Sequence, residues 1–156
     1  MFTNVNYRFS QRFRVSAERA YQWCTDYDPN DLALMQEKGR RKIKWISKNA
    51  LILVDTAYVG DGRTKKAVSK TKLVRLNPME KSWTNTHIAG PVKYSQFLYK
   101  IVREGKDRSR LDFRGLQLEP REMTREEVAA LVRKVREEDS LAWKHLARAM
   151  EEELVK

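Results

Sequence analysis

The sequence lacks most of the residues that would name a chemistry. Of 156 residues only Cys24 is a cysteine, so no internal disulfide can form and no thiolate cluster can hold a metal. Its neighbours Ala20, Trp23 and Tyr27 put it on an apolar helix face, where a small core residue is expected rather than a reactive thiol. The two histidines, His87 and His145, fall on different elements with no acidic pair beside either, so no metal site and no cofactor are expected. No G-x-S-x-G turn offers a serine nucleophile. Gly60, Asp61 and Gly62 read as a hairpin turn rather than a phosphate cradle, because no helix follows them. No apolar run reaches the roughly 18 residues that span a bilayer, and the opening MFTNVNYRFSQRFR has no apolar signal core, which reads as a cytoplasmic protein.

What is present is a well-balanced folded composition. Hydrophobic residues at 41% and charged residues at 34% exclude a disordered or membrane-embedded chain. The length suits one domain, residues 1–156, with a sizeable core. A formal net charge of +11 attracts anions of any kind and cannot by itself choose between nucleic acid, an acidic membrane surface and an acidic ligand.

The patterning alternates between two periods. From Val5 to Val15 the odd positions Tyr7, Phe9, Phe13 and Val15 are apolar and the even ones polar, which predicts a strand with one buried face. Ser16 offers a helix cap, Glu18 sits in the first turn, and a short helix is expected to about Tyr27. Pro29 begins a second short helix that Gly39 closes. Six strand signals then follow, separated by Asn49, by Gly60 to Gly62, by Asn77 and Pro78, by Gly90 and Pro91, and by Gly105. After Pro120, Thr124 with Glu126 and Glu127 starts a helix of about 30 residues with no glycine or proline inside it.

This order, with FRVSAERAYQWCTDYD near the start, resembles the START-like superfamily that includes the Bet v 1 allergens and the polyketide cyclases. RVSAERAYQW is similar to that superfamily's opening strand-to-helix junction, and HIAGPVKYSQFLYKIV to its Gly-Pro hairpin and the strand after it. The resemblance covers the whole chain and implies a helix-grip fold of the α+β class: a seven-stranded curved antiparallel sheet around a long C-terminal helix, with two short helices after the first strand. It also implies an internal cavity for a lipid, polyketide or isoprenoid-like molecule. The second and third strands meet at SKNALIL, so the glycine-rich loop of the plant allergens is missing, and no catalytic set carries over from the cyclases.

Candidate site residues follow from parity and helical spacing. On the last helix Val128, Leu131, Val132, Val135, Ala142, Leu146 and Ala149 form one stripe, and Asp139 falls near its centre. An unpaired carboxylate there costs several kcal/mol, so Asp139 must meet water, a donor, a cation or the ligand, with a wet cavity or a strand lysine the commoner arrangement. His87 shares strand parity with Trp83 and Asn85, giving an aromatic wall with polar handles. A carbonyl-satisfied His87 is the commoner arrangement for a buried histidine, whereas His145 is expected to be exposed. Phe97, Tyr99, Ile101, Leu111 and Phe113 are assigned inward. The opposite parity, with Arg8, Arg12, Arg14, Lys42, Lys44, Lys66, Lys70, Lys72, Lys100, Arg110 and Arg114, is assigned to a basic convex face almost without aromatics.

The expected function is therefore binding or carriage of a small hydrophobic ligand between the sheet and the C-terminal helix. Ligand contacts are assigned to Asp139, His87, Trp83, Tyr99, Phe97, Phe113, Val135 and Ala142, with no catalytic residue. A cyclase or dehydratase using Asp139 and His87 in the same cavity is the alternative. A module using the basic face, in weak contact with nucleic acid or an acidic membrane surface, is the second alternative, and no stable partner is expected.

Overall fold

The computed structural model describes residues 1–155. Strand β1 (Thr3–Phe13) leads through Ser16, whose hydroxyl accepts from the Arg19 amide at 3.3 Å, into helix α1 (Ala17–Cys24). A short turn, α2 (Asp31–Leu34), follows, and the Asn30 amide donates to the Asp28 carboxylate in the connection. Then come β2 (Arg40–Ser47), β3 (Ala50–Val59), β4 (Lys66–Asn77), β5 (Ser82–Ala89), β6 (Gln96–Gly105) and β7 (Arg108–Glu119). Helix α3 (Arg125–Leu154) closes the chain. Its Thr124 cap is the expected one: the Thr124 hydroxyl accepts from the Glu127 amide, and the Thr124 amide donates back to the Glu127 carboxylate, a capping box in which Glu127 is a partner as well as a first-turn charge.

All seven strands form one antiparallel sheet in the order β1-β7-β6-β5-β4-β3-β2, so the first strand pairs with the last and every other neighbour is a hairpin. The sheet wraps α3, which runs chiefly along β1, and this is the helix-grip arrangement. The core sits at one end of the groove. Phe13, Leu51, Leu53, Val74, Leu111 and Met150 are essentially fully buried there, beneath α1 and the last turns of α3. Burying each such side chain is worth about 1.5–3 kcal/mol.

Helix α3 is unequally seated. In its C-terminal half Leu146, Ala147 and Met150 are buried, whereas Val128, Leu131, Val132, Val135 and Ala142 of the predicted stripe are only half-buried. The buried face turns toward Trp143, Ala147 and Met150, which the predicted stripe omitted. His145 is half-buried rather than exposed. Among the described residues no helix is long and apolar enough to cross a membrane.

One glycine sets the width of the groove. A Cβ on Gly115 would lie 2.6 Å from Tyr7 Cε1 and 2.8 Å from Cζ, so the Tyr7 ring lies flat over a position that tolerates no side chain. That ring is itself fixed, 5.3 Å from Phe113 and bonded through its hydroxyl to α3. Gly115→Ala is therefore expected to destabilise the protein by about 1–3 kcal/mol, as overpacking of a closed site does, with the loss read in urea denaturation.

Candidate functional site

Between the sheet and the middle of α3, from Leu131 to Leu146, lies a cavity of about 440 Å³. Its floor is aromatic. Trp83 and Tyr99 stack with ring centroids 4.9 Å apart and an interplanar angle of 2°, Phe113 meets Tyr99 edge-on at 5.2 Å, and Phe97 lies 5.1 Å from the His87 ring. The roof is Val135, Ala142 and Trp143 of α3. All eight residues that the sequence nominated for ligand contact, Asp139, His87, Trp83, Tyr99, Phe97, Phe113, Val135 and Ala142, line this one space. Cys24 also reaches it, half-buried rather than sealed in the core, and burial pushes its thiol pKa well up, which leaves it un-ionised.

Among the counterparts expected for Asp139 the structure supplies a donor, the phenol of Tyr7, and no strand lysine pairs with it. The Tyr7 hydroxyl donates to Asp139 Oδ2 at 2.5 Å, across the groove from β1 to α3. Burial pushes the Asp139 carboxyl above its usual range, the Tyr7 bond pulls it back, and Glu138 and Glu37 push it up again. Burial and then the Asp139 charge raise Tyr7 as well, so the phenol keeps its proton.

The second polar group was missed altogether. Lys70 and Lys72, assigned to the convex face, point inward with Val74 and Leu76 and line the cavity. The error was to count them with the other basic residues when their parity on β4 was that of the buried apolar ones. Asp55, at the inward parity of Leu51 and Leu53, gathers these charges. It accepts from Arg41 Nε at 2.8 Å and Nη2 at 2.9 Å, and from Lys72 Nζ at 2.8 Å. Asp31 stands 3.7 Å from Arg41 on the other side. Burial alone would raise Asp55, but the Arg41 hydrogen bonds and the Lys72 charge outweigh it and hold the carboxyl at about 2.

His87 also departs from expectation. No carbonyl satisfies its side chain: Nδ1 is buried without a protein partner, and so is Asn85 Oδ1 two residues earlier on the same strand face. Burial, with Lys72 and Lys70 nearby, lowers its pKa to about 3, so the imidazole is neutral at neutral pH.

Arg41, Asp55 and Lys72 are mutually dependent, because two buried cations share the Asp55 carboxylate, with Asp31 beside Arg41 alone. Asp55→Ala is expected to cost about 3–5 kcal/mol by leaving Lys72 uncompensated and Arg41 with only the longer Asp31 contact. Asp55 is held at about 2, below its unfolded value near 3.9. Its contribution is thus complete above about pH 4 and lost as pH falls toward 2, so the stability gap between wild type and Asp55→Ala should narrow over that window in urea titrations.

No protein-family model matches this sequence, and no curated protein matches it. Solved structures do. The chain is similar to the Zhui aromatase/cyclase from Streptomyces sp. R1128, with a TM-score of 0.76 at 9% identity over 96% of this chain and 94% of that one. It is similar to a START superfamily protein from Mycobacterium smegmatis, with a TM-score of 0.70 at 15% identity over 94% and 97%. It also resembles norcoclaurine synthase from Thalictrum flavum, solved with dopamine and hydroxybenzaldehyde, at a TM-score of 0.68 and 14% identity over 97% and 88%. The protein thus has the helix-grip fold shared by START and Bet v 1-like proteins.

Proposed function

We propose that the protein binds a small, largely apolar, ring-containing molecule in the cavity between the sheet and α3. The observation that carries this reading is the unequal seating of α3: its apolar stripe continues over the hollow, where Leu131, Val135 and Ala142 stay half-buried and line the cavity, Val135 also touching the cluster of Tyr7, Phe97 and Phe113. An apolar face left half-exposed inside a groove is stabilised when a guest displaces water from it. A dry cavity of about 150 Å³ holds one benzene, so about 440 Å³ suits a molecule of two or three rings. The stacked Trp83 and Tyr99 offer such rings a flat surface. The similarity to a structure solved with dopamine and hydroxybenzaldehyde, two small aromatics, agrees with that size and character. The ligand contacts are assigned to the eight residues named from sequence, joined by Tyr7 and Trp143.

A second reading, a cyclase or dehydratase working in the same cavity, draws on the Tyr7–Asp139 pair, an acid of raised pKa beside a phenol. With His87 neutral, the acid role in such a reaction falls to Asp139.

Mass spectrometry of an organic extract of the purified protein should reveal one retained apolar compound in near-stoichiometric amount. Ala142→Trp, which fills the roof, should keep the circular dichroism of the wild type and lose the compound. Wild-type protein that carries nothing, and whose Trp83 and Trp143 fluorescence is unmoved by any aromatic probe, would contradict the reading.

A further inference from the structure

We propose that the ligand carries an anionic oxygen group, a carboxylate, and that Lys70 with His87 and Asn85 receives it at the sheet end of the cavity. The inference rests on the binding reading above and adds to it the charge of the guest.

Lys70 stands directly opposite Asp55 on β3, the position from which an ion pair is expected. The pair does not form. Both oxygens of Asp55 are taken by Arg41 and by the diagonal neighbour Lys72, and Lys70 has no ion-pair partner among the described residues. Lys70 is nonetheless half-buried on the cavity wall, where an ammonium without a counter-charge is costly.

Beside it, β5 presents Asn85 Oδ1 and His87 Nδ1, the two buried side-chain polar atoms without a hydrogen-bond partner among the described residues. His87 is the register partner of Lys72, and Asn85 of Val74, so both lie on the next strand at the same end of the groove. The side-chain amide of Asn85 can turn its NH2 inward, and the neutral His87 ring carries one N–H, so the pair can donate twice to an anion. A carboxylate there would meet a free cation and two neutral donors while its rings lie on Trp83 and Tyr99.

None of the cavity's acids forms an ion pair with Lys70: Asp31 and Asp55 face Arg41, Asp139 takes the Tyr7 hydroxyl from β1 and feels Lys70 only at longer range, and Glu37 and Glu138 stay apart from it. On the sheet side Asp55 is already shared by Arg41 and Lys72, so Lys70 is the charge left to orient an anionic head.

The test is a matched pair of probes, 2-naphthoate and 2-naphthamide, of equal ring area and different charge, titrated calorimetrically at pH 7.5. Naphthoate is expected to bind at least 10-fold more tightly. Lys70→Met should bring naphthoate down to the affinity of naphthamide, Lys70→Arg should retain the preference, and so should Lys42→Met on the outer face. In the naphthoate complex the His87 pKa, followed by NMR, should rise from its depressed value, because the anion offsets Lys70 and Lys72. Equal affinity for the two probes, or a preference that survives Lys70→Met, would overturn the assignment and leave the cavity reading standing. Binding of neither probe would remove both.

Discussion

Everything in this molecule turns on how α3 meets the sheet. Its last turns are locked down by Leu146, Ala147 and Met150 against a core shared with α1, and Glu151 ties the same end to Arg14 of the chain after β1. Its first half has a lighter seat, Val132 and Val135 against the cluster of Tyr7, Phe97 and Phe113, and at mid-helix a polar strut joins Asp139 to Tyr7, beside a glycine that leaves room for the ring. A helix pinned at one end and propped at its middle encloses volume without filling it.

The enclosed space is neither a plain apolar pocket nor a charged cleft. Its walls carry stacked aromatics, and its polar groups fall at two separate places, one on β2 to β5 and one on α3. The Arg41–Asp55–Lys72 cluster gives the sheet side a fixed, fully bonded charge lattice, which costs desolvation but resists rearrangement. Tyr7 and Asp139 do the same on the helix side. What is left unbonded on the sheet side, Lys70, His87 and Asn85, stands beside a cluster whose charges are paired.

Much of this was legible in the residues. The period-two run of β1, the Ser16 and Thr124 caps and the glycine and proline punctuation placed every element, since each depends on local backbone chemistry. Trp83, Asn85 and His87 were placed on the concave side by parity alone, and Asp139 by its position in an apolar stripe. Arg41, Asp55, Lys70 and Lys72 were not found, although each occupies the inward parity of its strand beside Ile43, Leu53 or Val74. Charge was allowed to outvote parity, and a buried ion cluster is the case in which parity wins. Tyr7 was seen as a core aromatic; its partner lies 132 residues away, a contact no local pattern encodes.

The central claim is that the space beneath the middle of α3 is kept open by the fold itself. A crystal structure at a resolution that orders solvent tests it directly. The account predicts Tyr7 bonded to Asp139, with density for waters or a guest between Trp83 and Tyr99 on one side and Asp139 and Ala142 on the other. Asp139 and Ala142 closed down onto Trp83 and Tyr99, with no continuous space between helix and sheet, would contradict it.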